Sequence, residues 1–513
     1  MERWATDATV RAGAALPTIG AKELAAATQE VIGSLRDGMV SESAYDTAVV
    51  SGLRSSRDPS RPAYPDTISW LRRRQHSDGS WGGRIELAHD RVISTLAAVV
   101  HLEDVPDGWA QSAVRDGVGY LWKNIHHLET SPSETIAFEL LVPQLLGDAR
   151  RLGLRLPYQR FTDIEALREE KLRQAPLDDL YRHPTTLAHS LEFLGNDIDS
   201  RQVHRLRERN GSYGNSPSAT AHVLAHIRDD QAEAYLSRVV GVSLNGGVPT
   251  TYPIDVFERA WILYNLGAAN ARVRGVSSHL RYLATALTSE GVGWSLGIVP
   301  DSDDTAITLI ALAHAGSRVD MDVLLRFEHD RHFSCFPFER NTSVSANAHV
   351  LEALKLGQSQ RPGRYTEQIT KITSYLQEHK SDGGYWLDKW HASPYYATAQ
   401  VARAAHDGAN DLLAGTHAWL LETQKPDGSW GWYVSTSEET AYAMQSLLLL
   451  SRYSDPFTAQ ALDRAAAYLT ARFHDTDYRE LWIGKGLYTP YNVVRSAVIS
   501  ALLLYRQERG TRA

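Results

Sequence analysis

The chain has 513 residues, 43% hydrophobic and 22% charged, with 53 Lys+Arg against 61 Asp+Glu and a net charge of −8. That length exceeds what one core usually organises, so two or more domains are expected, and the mild acidity without a basic stripe excludes nucleic acid as a partner. The single cysteine, Cys335, excludes an internal disulfide and a cysteine-rich zinc site, and it fits a reducing, cytoplasmic setting.

The first twenty residues, MERWATDATVRAGAALPTIG, lack the apolar core of a secretory signal. Apolar residues at three- and four-residue spacing then predict helices at AKELAAATQEVIGSL (21–35), RVISTLAAVVHL (91–102), TAITLIALAHAG (305–316), ANAHVLEALKLG (346–357) and ETAYAMQSLLLLSRY (439–453). Alternating strand patterns are scarce. The longest apolar run, AVISALLLY (497–505), is too short to span a bilayer, so no stable membrane insertion is expected.

A repeat threads these helices. ISWLRRRQHSDGSWGG (68–83) and HAWLLETQKPDGSWGW (417–432) share a helix end, a Gln, an Asp-Gly turn and a Trp; degenerate copies are LRERNGSYGNS (206–216), ALTSEGVGWSLG (286–297) and YLQEHKSDGGYWLD (375–388). Each reads as a helix, a tight turn and an aromatic clamped over it before the next helix. Repeated helix pairs close into α/α barrels or stack as solenoids, and the irregular spacing favours barrels.

One stretch stands apart. VPDSDDTAIT (299–308) places Asp301, Asp303 and Asp304 within four positions at the start of an apolar helix. Capping accounts for one or two of them, since a side-chain oxygen at the N-cap and acids in the first turn complement the helix terminus. A third is surplus. Crowded beside an apolar cavity, a carboxyl group stays protonated near neutrality and is able to protonate an alkene, with aromatic faces to hold the cation that results.

The repeats resemble the QW motifs of the terpene cyclase and squalene–hopene cyclase superfamily, and Asp-x-Asp-Asp followed by Thr-Ala resembles the signature of class II diterpene cyclases of the copalyl diphosphate synthase type. SAYDTA (43–48), HPTTLAHSLEFL (183–194), LNGGVPTTYPIDVFERAW (244–261), FEHDRHFSCF (327–336), SVSANAHVL (343–351) and LWIGKGLYTPY (481–491) have counterparts there in the same order, over about residues 25–505. The resemblance implies an all-α fold of two α/α barrels. Residues 1–40 with 245–513 would form the β domain, which carries the acid motif, and 41–244 an inserted γ domain. It implies protonation of geranylgeranyl diphosphate, closure of two rings, and loss of a proton with the diphosphate retained.

By the same resemblance Asp303 is the general acid, Asp301 and Asp304 tune it, and His349 is its hydrogen-bonding partner. Asn347, two residues earlier, reads equally well as a structural polar residue. His189 and Asn245 match the pair that holds the terminal base in ent-copalyl diphosphate synthases, and so favour that product over a halimadienyl or clerodane-type skeleton. Lys171 matches a lysine associated with the diphosphate. Glu129 and Glu134 stand where relatives carry an acidic Mg2+ segment, although Thr130 replaces a neighbouring acid. Trp261, Trp294, Phe333, Phe336 and Trp386 are the expected cavity aromatics.

Ionisation-driven class I chemistry is not expected. DDLYR (178–182) fails as a metal motif, and DDQAE (229–233) lacks a proper second motif because NDIDSRQVH (196–204) ends in His. No class I α domain is expected after residue 505, so the product would pass to a separate class I terpene synthase. The rivals are an α/α-barrel glycosidase using paired carboxylates, a non-catalytic toroid that binds a partner, and a zinc-dependent prenyltransferase subunit.

Overall fold

The computed structural model describes residues 19–510 apart from 175–176, 178–179, 272, 338, 409–410 and 452–454. Asp178 and Asp179 of the first candidate metal motif therefore lie outside the described residues. Nearly all regular structure is helical, and the strands are two-residue ladders. The five helices expected from periodicity appear as Ala21–Ser34, Ala88–Leu102, Ser302–His314, Val344–Gln360 and Ser437–Ser451.

Two closed rings organise the described residues. In the larger, Asp255–Ala268 packs on Ser302–His314, then Val344–Gln360, Pro394–Ala405, Ser437–Ser451 and Tyr491–Gly510, which returns to Asp255–Ala268. In the smaller, Ala44–Ser51 packs on Ala88–Leu102, Phe138–Arg151, the 3₁₀ segment Thr186–Asp197 and Pro217–Leu224, which closes on Ala44–Ser51. Ring helices are the more deeply buried, and every residue of Pro394–Ala405 is buried. Outer helices bury one stripe, as Thr366–Glu378 does with Ile372, Tyr375 and Leu376. An apolar stripe packs against one neighbour, whereas an all-round apolar helix must be enclosed.

The repeat is the joint that makes these rings. Trp81, Trp386 and Trp430 each donate their indole N–H to a carbonyl ten residues earlier, on Leu71, Leu376 and Leu420, at 2.9, 2.7 and 2.8 Å. Their backbone N–H groups donate to Thr95, Thr398 and Thr440 hydroxyls in the next inner helix. Gln75 and Gln424 tie the turn to the next helix but one, through the Ala113 and Ala461 carbonyls of Gly108–Asn124 and Pro456–Ala471. Gly79 and Gly428 sit at φ +90° and +87°, against backbone that leaves no room for a Cβ.

Where the chain crosses between the rings, Glu42–Ser43 pairs antiparallel with Val248–Pro249. Val248 and Tyr252 pack with Val50, Leu53 and Tyr235, in a cluster of the smaller ring's side. The hairpin of Trp482–Ile483 and Leu487–Tyr488 reaches from the larger ring towards the smaller, where Asp90 accepts the Leu487 N–H at 3.0 Å.

Candidate active site

The acid cluster is a capped helix and more. Asp301 is the N-cap of Ser302–His314, and its Oδ1 accepts the Asp304 N–H at 2.7 Å. Thr305 clamps Val292 through its hydroxyl, as Thr95 clamps Trp81, so the acids sit at the mouth of an ordinary repeat joint. All three are buried, and Asp303 is the least so, at 8% exposure against 1% for Asp301 and 6% for Asp304. Burial pushes the Asp301 carboxyl up to about 8, and burial together with the charge of Asp301 holds Asp304 well above the usual carboxylate range. Both are therefore biased towards the neutral, protonated form.

His349 stands behind Asp303. Its Nδ1 lies 2.5 Å from Asp303 Oδ1, and its Nε2 lies 3.1 Å from Gln400 Oε1. Asp303 and Gln400 thus fix the ring from both nitrogens, and the contact on Oδ1 leaves Oδ2 for a proton. Asn347, two residues away, faces elsewhere: it holds the Phe333 backbone from both sides, at 2.8 and 2.9 Å.

The three acids line a cavity of about 300 Å³. Its aromatic walls include Phe257, Trp261, Trp294, Phe336, Trp390, Trp482 and Tyr488. Phe257 stacks on Trp261 at 4.2 Å, and Trp294 meets Phe336 edge-on at 6.2 Å. Lys171, Arg340 and Lys389 line the same cavity with Glu134, Glu139 and Glu339. Arg340 pairs with Glu134, and Lys389 with Glu339 at 2.5 Å. Burial lowers the Lys171 ammonium from its ordinary value, and the nearby Glu139 carboxylate opposes that shift.

His189 lines the cavity and is fixed by a contact from its Nδ1 to Gly214 O at 2.9 Å, which leaves Nε2 as the basic nitrogen. Burial and the charge of Lys485 hold its pKa down to about 4, so the imidazole is neutral.

Several expected residues lie elsewhere. Asn245 is exposed and does not line the cavity; its Oδ1 accepts the Gly247 N–H at 3.0 Å. That is the turn bond made by Asp78, Asn210 and Asp427 in other repeats, and Val248 is clamped by Thr47 as Trp81 is by Thr95. Asn245 is thus a turn former, and Thr250 and Thr251 face the cavity from that segment. Trp386 is a repeat clamp and Phe333 packs in the core, so neither lines the cavity. Trp294 does, because Val292 takes the clamp position in its repeat.

The expected Mg2+ pair is not assembled. Glu129 is exposed and off the cavity, while Glu134 is turned to Arg340 and Asn341. Among the described residues no group of three or more His, Cys, Asp or Glu side chains converges as a metal site. Glu129 and Glu134 therefore do not by themselves build a Mg2+ centre among the described residues. Asp229 of the second candidate metal motif caps a helix and binds Arg207 and Tyr213 at 2.7 and 2.9 Å.

No protein-family model matches the chain. A type B diterpene cyclase from Mycobacterium tuberculosis is 33% identical over 488 residues, covering 91% of this chain and 96% of that protein. The chain belongs to the class II diterpene cyclases. An ent-copalyl diphosphate synthase from a Streptomyces species is 33% identical over 93% of this cyclase and 96% of its own length. The solved ent-copalyl diphosphate synthase from Streptomyces platensis superposes with a TM-score of 0.81 at 34% identity, over 94% of this chain and 99% of that one. Among the described residues of the cyclase, no helix is long and apolar enough to cross a membrane.

Lys485 went unassigned in the sequence. Fully buried, its ammonium lies within hydrogen-bond reach of Glu192 at 2.8 Å, Ser216 at 2.6 Å, Ser218 and the His189 carbonyl at 2.9 Å, and 3.4 Å from Asp46. It comes from the hairpin of the larger ring and ends beneath the histidine of the smaller.

The raised acids of the cyclase have a thermodynamic signature. An unfolded aspartate loses its proton near pH 4, whereas the folded pair keeps its protons to about 8 and beyond. Their contribution to stability is full below about pH 4 and is lost as pH rises towards and through 8. Asp304→Asn is expected to gain in melting temperature relative to wild type between pH 5 and pH 8.5. A difference that does not move with pH would contradict a protonated Asp304.

Proposed function

We propose that this cyclase converts geranylgeranyl diphosphate to a bicyclic copalyl diphosphate, most simply of the ent series, with the diphosphate retained. The observation that carries the reading is Asp303, backed by His349 at 2.5 Å and flanked by two acids biased towards the neutral form on an aromatic-walled cavity. A His349 N–H donating to Oδ1 withdraws electron density and makes a proton on Oδ2 easier to give up. That proton adds to the distal alkene, the chain closes two rings, and the indole and phenyl faces hold the cation at roughly 0.5–2 kcal/mol each. The wall excludes water until His189 Nε2, directly or through one water, removes a proton to form the exocyclic alkene. Lys171, Arg340 and Lys389 hold the diphosphate away from the acid.

Relatives named ent-copalyl diphosphate synthase in both sequence and structure support the ent product. A rearranged skeleton is the second reading, favoured by the displacement of Asn245 from the cavity, which leaves His189 without its expected partner. A plant relative named (-)-kolavenyl diphosphate synthase is 33% identical over 71% of this chain and 45% of its own. The retained diphosphate would suit a separate class I synthase that ionises it. Incubation with geranylgeranyl diphosphate, dephosphorylation and chiral gas chromatography–mass spectrometry tests the proposal. Recovery of geranylgeraniol alone would end the cyclase reading, and a methyl- or hydride-shifted alcohol would select the second skeleton.

A further inference from the structure

A second cavity, of about 450 Å³, lies against the first. Thr185, Thr186, His189 and Trp294 line both, so they form the shared wall. His189 and Trp294 meet edge-on within it at 5.7 Å between ring centres. The first cavity is aromatic; the second is lined by Arg182, His183, Arg205, Arg207 and Glu208 among others.

The turn behind His189 is a modified repeat. Its backbone is that of the other copies: Glu208 N–H donates to Ser212 O as His76 does to Ser80 O and Lys425 to Ser429 O. Gly214, at φ +56°, brings its backbone so close to His189 that a Cβ there would stand 2.4 Å from the His189 backbone nitrogen. Its carbonyl then fixes the ring through Nδ1. At the position of His76 and Lys425 this copy carries the acid Glu208, whose Oε2 reaches to within 3.4 Å of where a methyl on Gly297 would lie. Gly297 is three residues beyond Trp294 of the shared wall.

We propose that the second cavity is the proton outlet of the reaction, with Glu208 collecting, through water, the proton that His189 removes from the cyclised cation. The proposal rests on His189 being the terminal base. In the step, a C–H bond beside the cationic carbon breaks and its electron pair becomes the alkene. The proton passes to His189 Nε2, then along water to the Glu208 carboxylate, then to bulk solvent. His189 is again a neutral imidazole, and the wall has kept that water from the cation.

The surroundings suit the task. Burial raises the Glu208 carboxyl to about 7 while burial and Lys485 lower His189 to about 4, so a proton runs downhill from one to the other and leaves Glu208 readily near neutrality. Besides His189 and Glu208, the charged and titratable groups facing this cavity are Tyr181, Arg182 and His183 on one segment, Arg205 on the next, and Arg207 beside Glu208. Arg207 is engaged by Asp229, and Arg205 by Gln202 at 3.3 Å. The loop of Trp294–Val299 contributes none.

Steady-state kinetics with geranylgeranyl diphosphate test this. Glu208→Gln is expected to lower kcat roughly 10- to 100-fold at unchanged KM, with a larger solvent isotope effect and the same product. Glu208→Asp should restore most of the rate. In Glu208→Ala, added formate should restore turnover in proportion to its concentration, which repair of a packing defect would not do. Wild-type kcat and isotope effect in Glu208→Gln, or no response to formate in Glu208→Ala, would overturn the outlet. His189→Gln separates the two readings: wild-type product at wild-type rate in that variant sinks the base itself, whereas an altered product there with inert Glu208 variants sinks the outlet alone.

Discussion

Asp303→Asn is expected to lower turnover of geranylgeranyl diphosphate by at least about 10³-fold while the melting temperature stays within about 2 °C of wild type. The amide is isosteric, and its oxygen still accepts from His349 Nδ1, which sits 2.5 Å from that position. What the proposed mechanism loses is the proton it draws from Asp303, the most accessible carboxyl of the trio. Asp301→Asn is a weaker and less clean test, because its Oδ1 also caps the helix through the Asp304 N–H. A non-catalytic toroid predicts no chemical change in the Asp303 variant, and a glycosidase predicts sugar turnover in the parent. Retention of more than roughly a tenth of wild-type turnover would remove Asp303 as the acid.

The buried acid cluster at a helix start was legible because its signal is local, a cap, two first-turn acids and an apolar helix within a dozen residues, whereas its reading as a proton donor rested on the resemblance along the chain. The helices were legible for the same reason. The aromatic assignments divided according to the repeat. Trp386 sits on the clamp position and spends its N–H on Leu376, whereas Trp294 is two residues past the clamp held by Val292, and faces the cavity. Counting positions within the repeat would have separated them. Asn245 misleads similarly, since its segment is itself a degenerate repeat in which Asn takes the place of the turn aspartate. Trp390, Trp482, Arg340 and Lys389 reach the cavity from loops and the hairpin, where no periodicity marks a side chain as inward. Lys485 was invisible for a different reason: its carboxylate partner Glu192 is 293 positions away.

Lys485→Met is expected to be the most damaging substitution outside the acid site. The ammonium is fully buried, and Glu192 is held below its ordinary value by that charge against the cost of burial. Asp46, slightly farther at 3.4 Å, is raised because burial outweighs the same charge. Glu192 at 2.8 Å is therefore the ionised partner, and Asp46 accepts from the Ser218 hydroxyl at 2.5 Å. Removing the lysine strands a carboxylate in the interior, which costs about 3–5 kcal/mol, or a fall of roughly 5–10 °C in melting temperature. It also frees the His189 carbonyl and the serines beside Gly214, so catalysis should fall with stability. Glu192→Gln added to Lys485→Met should recover more than half of the lost stability, because a neutral amide replaces the stranded charge. The pair thus separates electrostatics from packing: recovery assigns the loss to the unpaired charge, and a double variant no more stable than Lys485→Met assigns it to the hairpin contact instead.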